Sequence, residues 1–554
     1  MRISPPPARS APAEPGGPRL HRREPLLLAG TLVAALVYAA YSILRHADLR
    51  SSSDLALYDQ AVWHYSRFEE PRTTVLLRLP NVLGDHFDPI LAALAPLYWL
   101  WSDVRMLLVA QALLVAAAAV PVFLYCLPRV GRPGAYALAV AYLLFWGVHS
   151  AVGFDFHNIA FAPLLIAALV VAADRERWPA FFLLLSPLLL VKEDLSVFVV
   201  FLGLYLLARR RWRQGAATVA IGLAWYGLVT RVLMPWAGAG AEYVHWSYDA
   251  LGTGLGDALL NMARDPLLPV EVFYGDGGPR KLATIALLLV PFLGLVLLSP
   301  LAILTVPLLA ERMLSSNPNL WGTGFHYSLM IAPILVMGAA DGLRNLARLA
   351  GFDPRRVALA GAAAVIALNV AASAALSPLV ALLDAGLYAR SRAERASYDA
   401  MALIPPDASV AALNIFTPHL SHRDDLYALG RGRLLEPDYI LVELSERTRP
   451  FYSSPLAFRN VRASVESKRP GYETLVERGG LLLLRRRGVG SRDASKISAV
   501  LGGRDGVGGG PPVRRLGILG AVVPDTAGLD CAGHDRDDLV RGVCLWAHDG
   551  DSLA

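Results

Sequence analysis

Charged residues are scarce in this chain of 554 residues, since Asp, Glu, Lys and Arg together make up only 18%. An ordinary soluble protein carries about 25%. Hydrophobic residues account for 55% of the chain and the mean hydropathy is +0.43, so neither one soluble core nor a disordered chain fits. The net charge of +6 is small for this length and predicts no nucleic-acid partner. Composition therefore predicts a polytopic α-helical membrane protein.

Cysteine and internal repeats are also lacking. The three cysteines, Cys126, Cys531 and Cys544, have no zinc-site spacing and cannot form a disulfide framework. No repeat is visible along the chain, which weakens the case for a transporter built from two matching halves.

Long apolar runs are what the chain has in abundance. A membrane-spanning helix needs about 20 mostly apolar residues, and about eleven runs approach this length. Two of them, 179–191 and 300–311, are short and contain Pro187 and Pro307. The predicted transmembrane domain is 26–377, after a disordered cytoplasmic leader, 1–25. The predicted spans are 26–44, 104–127, 134–151, 158–173, 179–191, 195–208, 215–234, 282–298, 300–311, 327–343 and 357–376.

Arginine in the short loops predicts the orientation. With a cytoplasmic N-terminus, the basic residues concentrate on the cytoplasmic side at every crossing, as the positive-inside rule requires. The long first loop, 45–103, then lies outside. The arginines of the cytoplasmic loops are Arg129, Arg132, Arg175, Arg177, Arg209, Arg210, Arg211, Arg213, Arg344, Arg348, Arg355 and Arg356.

An odd number of spans places the rest of the chain outside. Residues 378–487 are predicted to form a small extracytoplasmic α/β domain, with a helix near 388–403 that ends before Pro405 and Pro406. Its predicted strands are 410–414, 439–443 and 481–484. The Gly-rich extension, 488–554, is predicted to be mostly disordered.

Most of the polar residues that stand out lie at the predicted outer ends of the spans. Ionisable groups near the membrane are energetically costly, so such a cluster is a functional-site hypothesis by default. The cluster comprises Asp54, Asp59, Asp85, His86, Asp88, Asp155, His157, Lys192, Glu193, Asp194, His245, Asp249 and His326.

The first outer loop offers two groups of acids, and each has two interpretations. Asp54 and Asp59 belong to a segment with one apolar helical stripe. This segment is either an interfacial helix lying on the membrane or the carrier of a general base or metal ligand. The group Asp85, His86 and Asp88 offers donors for a divalent cation. Asp88 stands before a proline, which favours a helix N-cap for this residue over a metal ligand.

Two very short loops also hold charges. Asp155 and His157 lie between aromatic residues, which indicates either a lined cavity or an ordinary turn Asp. In the turn 192–194, Asp194 could cap the next helix while Lys192 extends towards the interface. Alternatively Lys192 pairs with phosphate, and Glu193 or Asp194 faces a cavity. A lone histidine such as His326 is more often structural, and only its neighbours favour a site.

Several motifs, in order, resemble the bacterial membrane-protein family called domain of unknown function 2079. The resemblance covers roughly residues 26 to 487 and includes the outer domain. The matching motifs are Tyr58-Asp59-Gln60-Ala61-Val62-Trp63, Asp85-His86-Phe87-Asp88-Pro89-Ile90-Leu91, Phe154-Asp155-Phe156-His157, Val191-Lys192-Glu193-Asp194, Phe325-His326-Tyr327 and Ile404-Pro405-Pro406-Asp407-Ala408-Ser409-Val410.

The layout of that family resembles the GT-C glycosyltransferases, which transfer a sugar from a polyprenyl-phosphate donor outside the cytoplasmic membrane. The resemblance implies a multi-pass protein of the bacterial cytoplasmic membrane, with membrane lipids and a polyprenyl-phosphate-linked sugar as partners. It implies Asp59 or Asp54 as the acid/base residue, and Lys192 and Arg312 as contacts of the lipid phosphate.

The same resemblance implies that Asp85, His86 and Asp88 hold the acceptor or a divalent cation such as Mg²⁺ or Mn²⁺. The remaining substrate-binding candidates are Asp155, His157, Glu193, Asp194 and His326. Two alternatives stay open: a lipid or solute transporter, and a non-catalytic scaffold that displays its outer domain.

Overall fold

The computed structural model describes residues 24–75, 81–238, 240, 245–430, 436–445, 448–449 and 455–488. By contacts the chain divides into two units at residue 388. The first holds the described residues up to Thr73 and from 81 to 388. The second holds 389–488 together with Thr74 and Val75 from the first loop. The predicted disordered leader and the Gly-rich extension lie almost wholly outside the described residues.

The first unit is helical. Its helices are Pro25–Ala47 (α1), Ser53–Ser66 (α2), Val82–Asp85 (α3), Ala95–Tyr98 (α4), Arg105–Ala117 (α5), Ala119–Leu144 (α6), Trp146–Val152 (α7), Ala162–Asp174 (α8), Trp178–Leu189 (α9), Leu195–Ala208 (α10), Trp212–Leu228 (α11), Met234–Ala237 (α12), Leu255–Arg264 (α13), Leu268–Gly275 (α14), Gly278–Leu289 (α15), Ala302–Met313 (α16), Pro318–Trp321 (α17), Ala332–Ala350 (α18) and Pro354–Leu376 (α19).

Each predicted span coincides with helical structure, and the mostly helical fold is confirmed. By length and composition, four helical stretches among the described residues are long and apolar enough to cross a membrane: Pro25–Ala47, Arg105–Leu144, Trp212–Ala237 and Pro354–Leu376. Shorter apolar helices, including α9 and α10, accompany them. The count of eleven crossings stays a prediction.

Two backbone breaks occur in the predicted transmembrane domain, one between two predicted spans and one within a span. Gly131 interrupts α6 with φ 71° and ψ 173°, a conformation that suits glycine because it has no Cβ, and this break separates the spans 104–127 and 134–151. The predicted span 282–298 is broken at Leu293 and Gly294, both with positive φ. No ionisable residue lies between 282 and 298, so this break is apolar.

A network of ionic groups centred on the buried Asp341 joins α6, α8 and α18. Arg129 donates to Asp341 at 2.7 Å and to Asp174 at 2.6 Å. Asp341 also accepts from the hydroxyls of Tyr125 and Ser299, each at 2.8 Å. Charges buried among apolar helices persist only when they are paired, so this network fixes where the three helices meet.

The second unit contains a small sheet, as the sequence predicts. Its strands are Val410–Ala412 (β1), Leu426–Ala428 (β2), Tyr439–Glu443 (β3), Tyr472–Arg478 (β4) and Leu481–Arg486 (β5), and its helices are Arg392–Ala402 (α20) and Pro455–Lys468 (α21). The strand order is β2-β1-β3-β5-β4, with β1 parallel to β2 and β3 and the other pairs antiparallel. β1 and β3 are fully buried, which explains why they appear in the sequence as continuous apolar runs.

Asp438 joins the start of β3 to the end of β5. Its Oδ2 accepts from the backbone N–H and the hydroxyl of Ser409, and its Oδ1 accepts from Arg486 at 2.6 Å. Burial would raise the pKa of Asp438, but the hydrogen bonds from Ser409 and Arg486 outweigh burial and lower it.

We expect Asp438→Asn to lower the free energy of unfolding of the second unit by about 1.5–3 kcal/mol near pH 7. Because the folded pKa is below the unfolded value, the stabilisation is full above about pH 4 and is lost as the pH falls through the folded pKa. The difference between native protein and variant should therefore shrink below about pH 4.

Pulsed hydrogen–deuterium labelling of β1 and β3 in increasing urea, on the full-length protein, measures this difference. Asp399→Asn, an exposed acid on α20, is the matched control and should behave as native. A difference that stays constant down to pH 3 would contradict the assignment.

Candidate active site

Helix α2 carries both candidate base residues. Ser52 is its N-cap, and the Oγ of Ser52 accepts the backbone N–H of Asp54 at 3.3 Å. The apolar stripe of α2, including Leu55, Tyr58 and Val62, is buried, and so is most of the rest of the helix. The interpretation of α2 as an interfacial helix is therefore wrong, because protein covers this segment on nearly all sides.

Asp54 and Asp59 have different surroundings. Asp59 is 0% exposed, and its Oδ1 accepts a hydrogen bond from the hydroxyl of Tyr98. The side chain of Asp54 is 31% exposed, and its Oδ2 lies 3.8 Å from Nε2 of His157. A general base must reach the proton that it removes, so geometry favours Asp54.

Aromatic rings surround His157. Its ring centroid lies 4.0 Å from that of His326, 4.9 Å from that of Phe154 and 5.4 Å from that of Tyr58. Burial, with a further contribution from the charge of His157, lowers the pKa of His326 well below its ordinary value. The Nδ1 of His326 is buried and has no hydrogen-bond partner among the described residues. The His326 ring is therefore neutral at pH 7, with one polar atom that a bound group could satisfy.

The turn before His157 is fixed by a salt bridge and an amide. Asp155 accepts Nη1 of Arg45 and the backbone N–H of Ser52, both at 2.7 Å. Gln111 on α5 donates to the carbonyl of Asp155 at 2.9 Å and accepts the N–H of His157 at 3.1 Å. The carboxylate of Asp155 is thus engaged by residues distant in sequence, unlike that of an ordinary turn Asp.

A second cluster contains Asp85, His86 and His245. Nε2 of His245 lies 2.9 Å from Oδ1 of Asp85, and the rings of His245 and His86 stack with centroids 4.0 Å apart. Nδ1 of His86 lies 2.8 Å from Glu193, which also accepts the N–H of Phe87 at 3.0 Å. Ligand atoms of Asp85, His86 and His245 lie within 4.8 Å of one another, so the three could hold one cation.

Charge outweighs burial in the pair His86–Glu193. Burial would lower the pKa of His86, but the charge and the hydrogen bond of Glu193 raise it. Burial would raise the pKa of Glu193, but the charge and the hydrogen bond of His86 lower it. The pair is therefore an ion pair that fixes the orientation of the His86 ring.

Asp88 is fully buried beside this cluster. Its Oδ2 accepts from Asn158 at 3.0 Å, and burial raises its pKa to about 8. It stands at the N-cap position before Pro89 but makes no side-chain cap. Asp88 therefore occupies the predicted N-cap position, but its side chain does not cap the helix as predicted. A carboxyl that holds its proton at pH 7 is a poor metal ligand.

Lys192 and Asp194 form a local pair in the turn before α10. Nζ of Lys192 lies 2.5 Å from Oδ2 of Asp194, and each side chain is partly exposed. Asp194 occupies the N-cap position of α10 but its side chain makes no cap bond there. Lys192 is consequently a partly accessible cation next to Glu193 of the second cluster.

Arg312, near the end of α16, is buried, and its guanidinium donates mainly to backbone carbonyls. It donates to the carbonyls of Leu320 and Gly322 at 2.9 and 2.7 Å, and to the hydroxyl of Ser328 at 3.2 Å. These bonds hold the loop that leads to His326. The geometry therefore gives Arg312 a role in supporting this loop.

The two clusters are linked through neighbouring residues, because Asn158 follows His157 and bonds to Asp88. Sequence reasoning missed Arg45, Gln111 and Tyr98. A lone Gln within the otherwise apolar α5 is a detectable signal, whereas Tyr98 resembles a membrane-interface residue.

Apolar helices with a connected polar group at their ends define a multi-pass membrane protein. The chain belongs to the family described as "Predicted membrane protein (DUF2079)", which matches residues 45–483 and confirms the resemblance of the motifs.

Two solved structures match this chain. They are ArnT from Cupriavidus metallidurans bound to undecaprenyl phosphate, with a TM-score of 0.48, and the same protein in the apo state, with a TM-score of 0.45. Each is 13% identical, and the similarity covers 83% of this chain and 97% of the other. No curated protein matches the chain.

We expect Arg312→Gln to lower the free energy of unfolding by about 2–4 kcal/mol, because two backbone carbonyls lose charged donors. Thermal unfolding of the purified protein in detergent measures this loss. Arg264→Gln, at an exposed position on α13, is the control. A variant that melts like the native protein but no longer binds polyprenyl phosphate would instead give Arg312 a direct contact with the lipid.

Proposed function

We propose that this protein transfers a sugar from a polyprenyl-phosphate donor to an acceptor at the outer face of the cytoplasmic membrane. The proposal rests on the approach of Asp54 to His157, whose neighbour Asn158 bonds to Asp88 beside the cluster of Asp85, His86 and His245. The partly exposed carboxylate of Asp54 could take up the proton of the acceptor hydroxyl, and a cation in the cluster could offset the negative charge on the departing phosphate.

The reaction assigns Asp54 a defined role. The bond between the anomeric carbon and the phosphate oxygen breaks, and a bond from the acceptor oxygen to that carbon forms. The proton of the acceptor hydroxyl passes to the carboxylate of Asp54, and the leaving polyprenyl phosphate keeps the electron pair. His157, 3.8 Å from Asp54, is close enough to stabilise the carboxylate before this transfer.

The depth of the site suits a lipid-linked donor. The phosphate of such a lipid lies at the headgroup level, and the candidate residues lie at the ends of apolar helices such as α10. We assign the phosphate contact to Lys192, a partly exposed cation in this group. Arg312 is not assigned, because its donors hold the loop 320–328.

The donor set of the second cluster fits a divalent transition metal such as Mn²⁺ or Zn²⁺ better than Mg²⁺. Two imidazoles and one carboxylate suit these metals, whereas Mg²⁺ favours oxygen ligands. Glu193 on Nδ1 of His86 leaves Nε2 for the metal, the usual arrangement of a carboxylate behind a histidine ligand. Metal binding would displace the Nε2 proton of His86, so the ion pair with Glu193 describes the site without metal and Glu193 would then hold the Nδ1 proton of a neutral ring. A cation here would supply positive charge for the departing phosphate. Asp88, buried and bonded to Asn158, is not among the proposed ligands.

We expect the purified protein to retain about one equivalent of Mn²⁺ or Zn²⁺ after dialysis. Because His245→Gln and Asp85→Asn each remove a proposed ligand, they should lower the affinity by more than about 100-fold, beyond the loss caused by removing a residue behind a ligand. Inductively coupled plasma mass spectrometry measures the bound metal. Asp249→Asn, an exposed acid near His245, is the control and should retain it. Equal occupancy in the native protein and both ligand variants would remove the metal site.

We expect Asp54→Asn to lower turnover of a polyprenyl-phosphate sugar about 10²- to 10⁴-fold, while binding of the lipid stays within a factor of two. The assay measures release of polyprenyl phosphate from a panel of labelled polyprenyl-phosphate hexoses by the protein in nanodiscs. Asp59→Asn is the comparison.

In Asp59→Asn, the bond from Tyr98 is disturbed, so we expect lower thermal stability and turnover in proportion to the folded fraction. Lipid binding by native protein without turnover of any donor in the panel would contradict the proposal and favour the transporter interpretation. Full activity of Asp54→Asn would remove Asp54 as the base.

A further inference from the structure

Asp155 lies between the two chain segments that carry the proposed reacting pair. Its Oδ2 accepts the backbone N–H of Ser52 at 2.7 Å, and Ser52 is two residues before Asp54. His157 follows Asp155 by two residues in the same turn. The carboxylate of Asp155 therefore joins the start of α2, which carries Asp54, to the turn 154–157, which carries His157.

A third segment meets the same carboxylate. Nη1 of Arg45, near the end of α1, lies 2.7 Å from Oδ1 of Asp155 and 3.3 Å from the carbonyl of Phe154. The side chain of Asp155 is only 1% exposed, so substrate cannot reach it. Any effect of Asp155 on the reaction must pass through the residues that it holds.

The backbone of Asp155 is strained. Its φ of 141° lies in a region that side-chain-bearing residues rarely adopt, and such strain persists only where surrounding bonds over-determine the conformation. Those bonds are present: Gln111 donates to the carbonyl of Asp155 and accepts the N–H of His157. The turn is thus held in a costly conformation that points to function rather than to stability alone.

We infer that Asp155 is a positioning residue, whose carboxylate, neutralised by Arg45, sets the separation of Asp54 and His157. The inference rests on the proposed function, since it gives the Asp54–His157 pair its task. A misplacement of about 1 Å can cost about 100-fold in rate. If Asp155 holds the two segments together, loss of its carboxylate should loosen the backbone around residues 52 and 157. This loosening can be measured without any turnover of substrate.

Two substitutions separate positioning from stability. Asp155→Asn keeps the shape of the side chain but removes the charge that pairs with Arg45. Asp155→Gly also removes the carboxylate but relieves the strain of the positive φ, so it should cost less stability than Asp155→Asn. The control is Asp174→Asn, which removes another arginine–carboxylate pair, with Arg129 at 2.6 Å, while Arg129 keeps its bond to Asp341. This network has no contact to Asp54 or His157 among the described residues.

The experiment uses the full-length protein in nanodiscs. Hydrogen–deuterium exchange of segments 50–58 and 153–159 should become about tenfold faster in both Asp155 variants and stay native in Asp174→Asn. With a polyprenyl-phosphate sugar, kcat should fall about 100-fold in both Asp155 variants while the Kd for the donor changes less than about twofold.

The exchange and kinetic measurements each have an outcome that would overturn the inference. Native exchange in both segments of Asp155→Gly, or kinetic losses no larger than those of Asp174→Asn, would overturn the inference. If native protein turns over no donor, the proposed function fails on its own, and the exchange measurement still determines whether Asp155 couples the two segments. Coupled exchange with unchanged kcat would leave a structural clamp and overturn the positioning role.

Discussion

Pairing of buried charge is the constraint on which the rest of this structure depends. An isolated charge among apolar helices costs several kcal/mol, so each buried ionic group must meet a partner where helices end. Arg45–Asp155, His86–Glu193 and the Arg129 network meet this requirement between segments distant in sequence. The partners in turn fix the short loops between helices, and these loops carry the candidate chemistry.

The same constraint divides similar carboxylates between different roles. Asp59 is enclosed and accepts a bond from Tyr98, whereas Asp54, on the same helix, stays partly exposed near His157. Asp88 is buried with a raised pKa, whereas Asp85 pairs with His245. Environment rather than residue type therefore separates the base candidate and the metal candidate from their structural neighbours.

The apolar segments could be predicted from the sequence because a helix in hydrocarbon needs only length and low polarity. The strands β1, β3 and β5 were similarly visible as apolar runs. β2 has only three residues, and β4 is buried only at Tyr472 and Leu475 without a strand-like alternation, so neither gives a clear signal. The sequence predicts that acids and histidines lie at the outer ends of the spans, but it does not predict which of them pair. His245 and Asp85, for example, are in contact although 160 residues separate them in the chain. The family resemblance implies that Asp155 binds substrate, whereas its contacts show that it is enclosed.

Photo-crosslinking tests most directly whether one polar site at the helix ends binds a lipid phosphate. A polyprenyl phosphate with a diazirine near its phosphate would be irradiated with the protein in nanodiscs, and the labelled peptides would be identified by mass spectrometry. We expect labels in segments 52–58, 154–158 and 190–194, suppressed by excess unlabelled polyprenyl phosphate. Labels confined to other segments, or not displaced by the competitor, would contradict it.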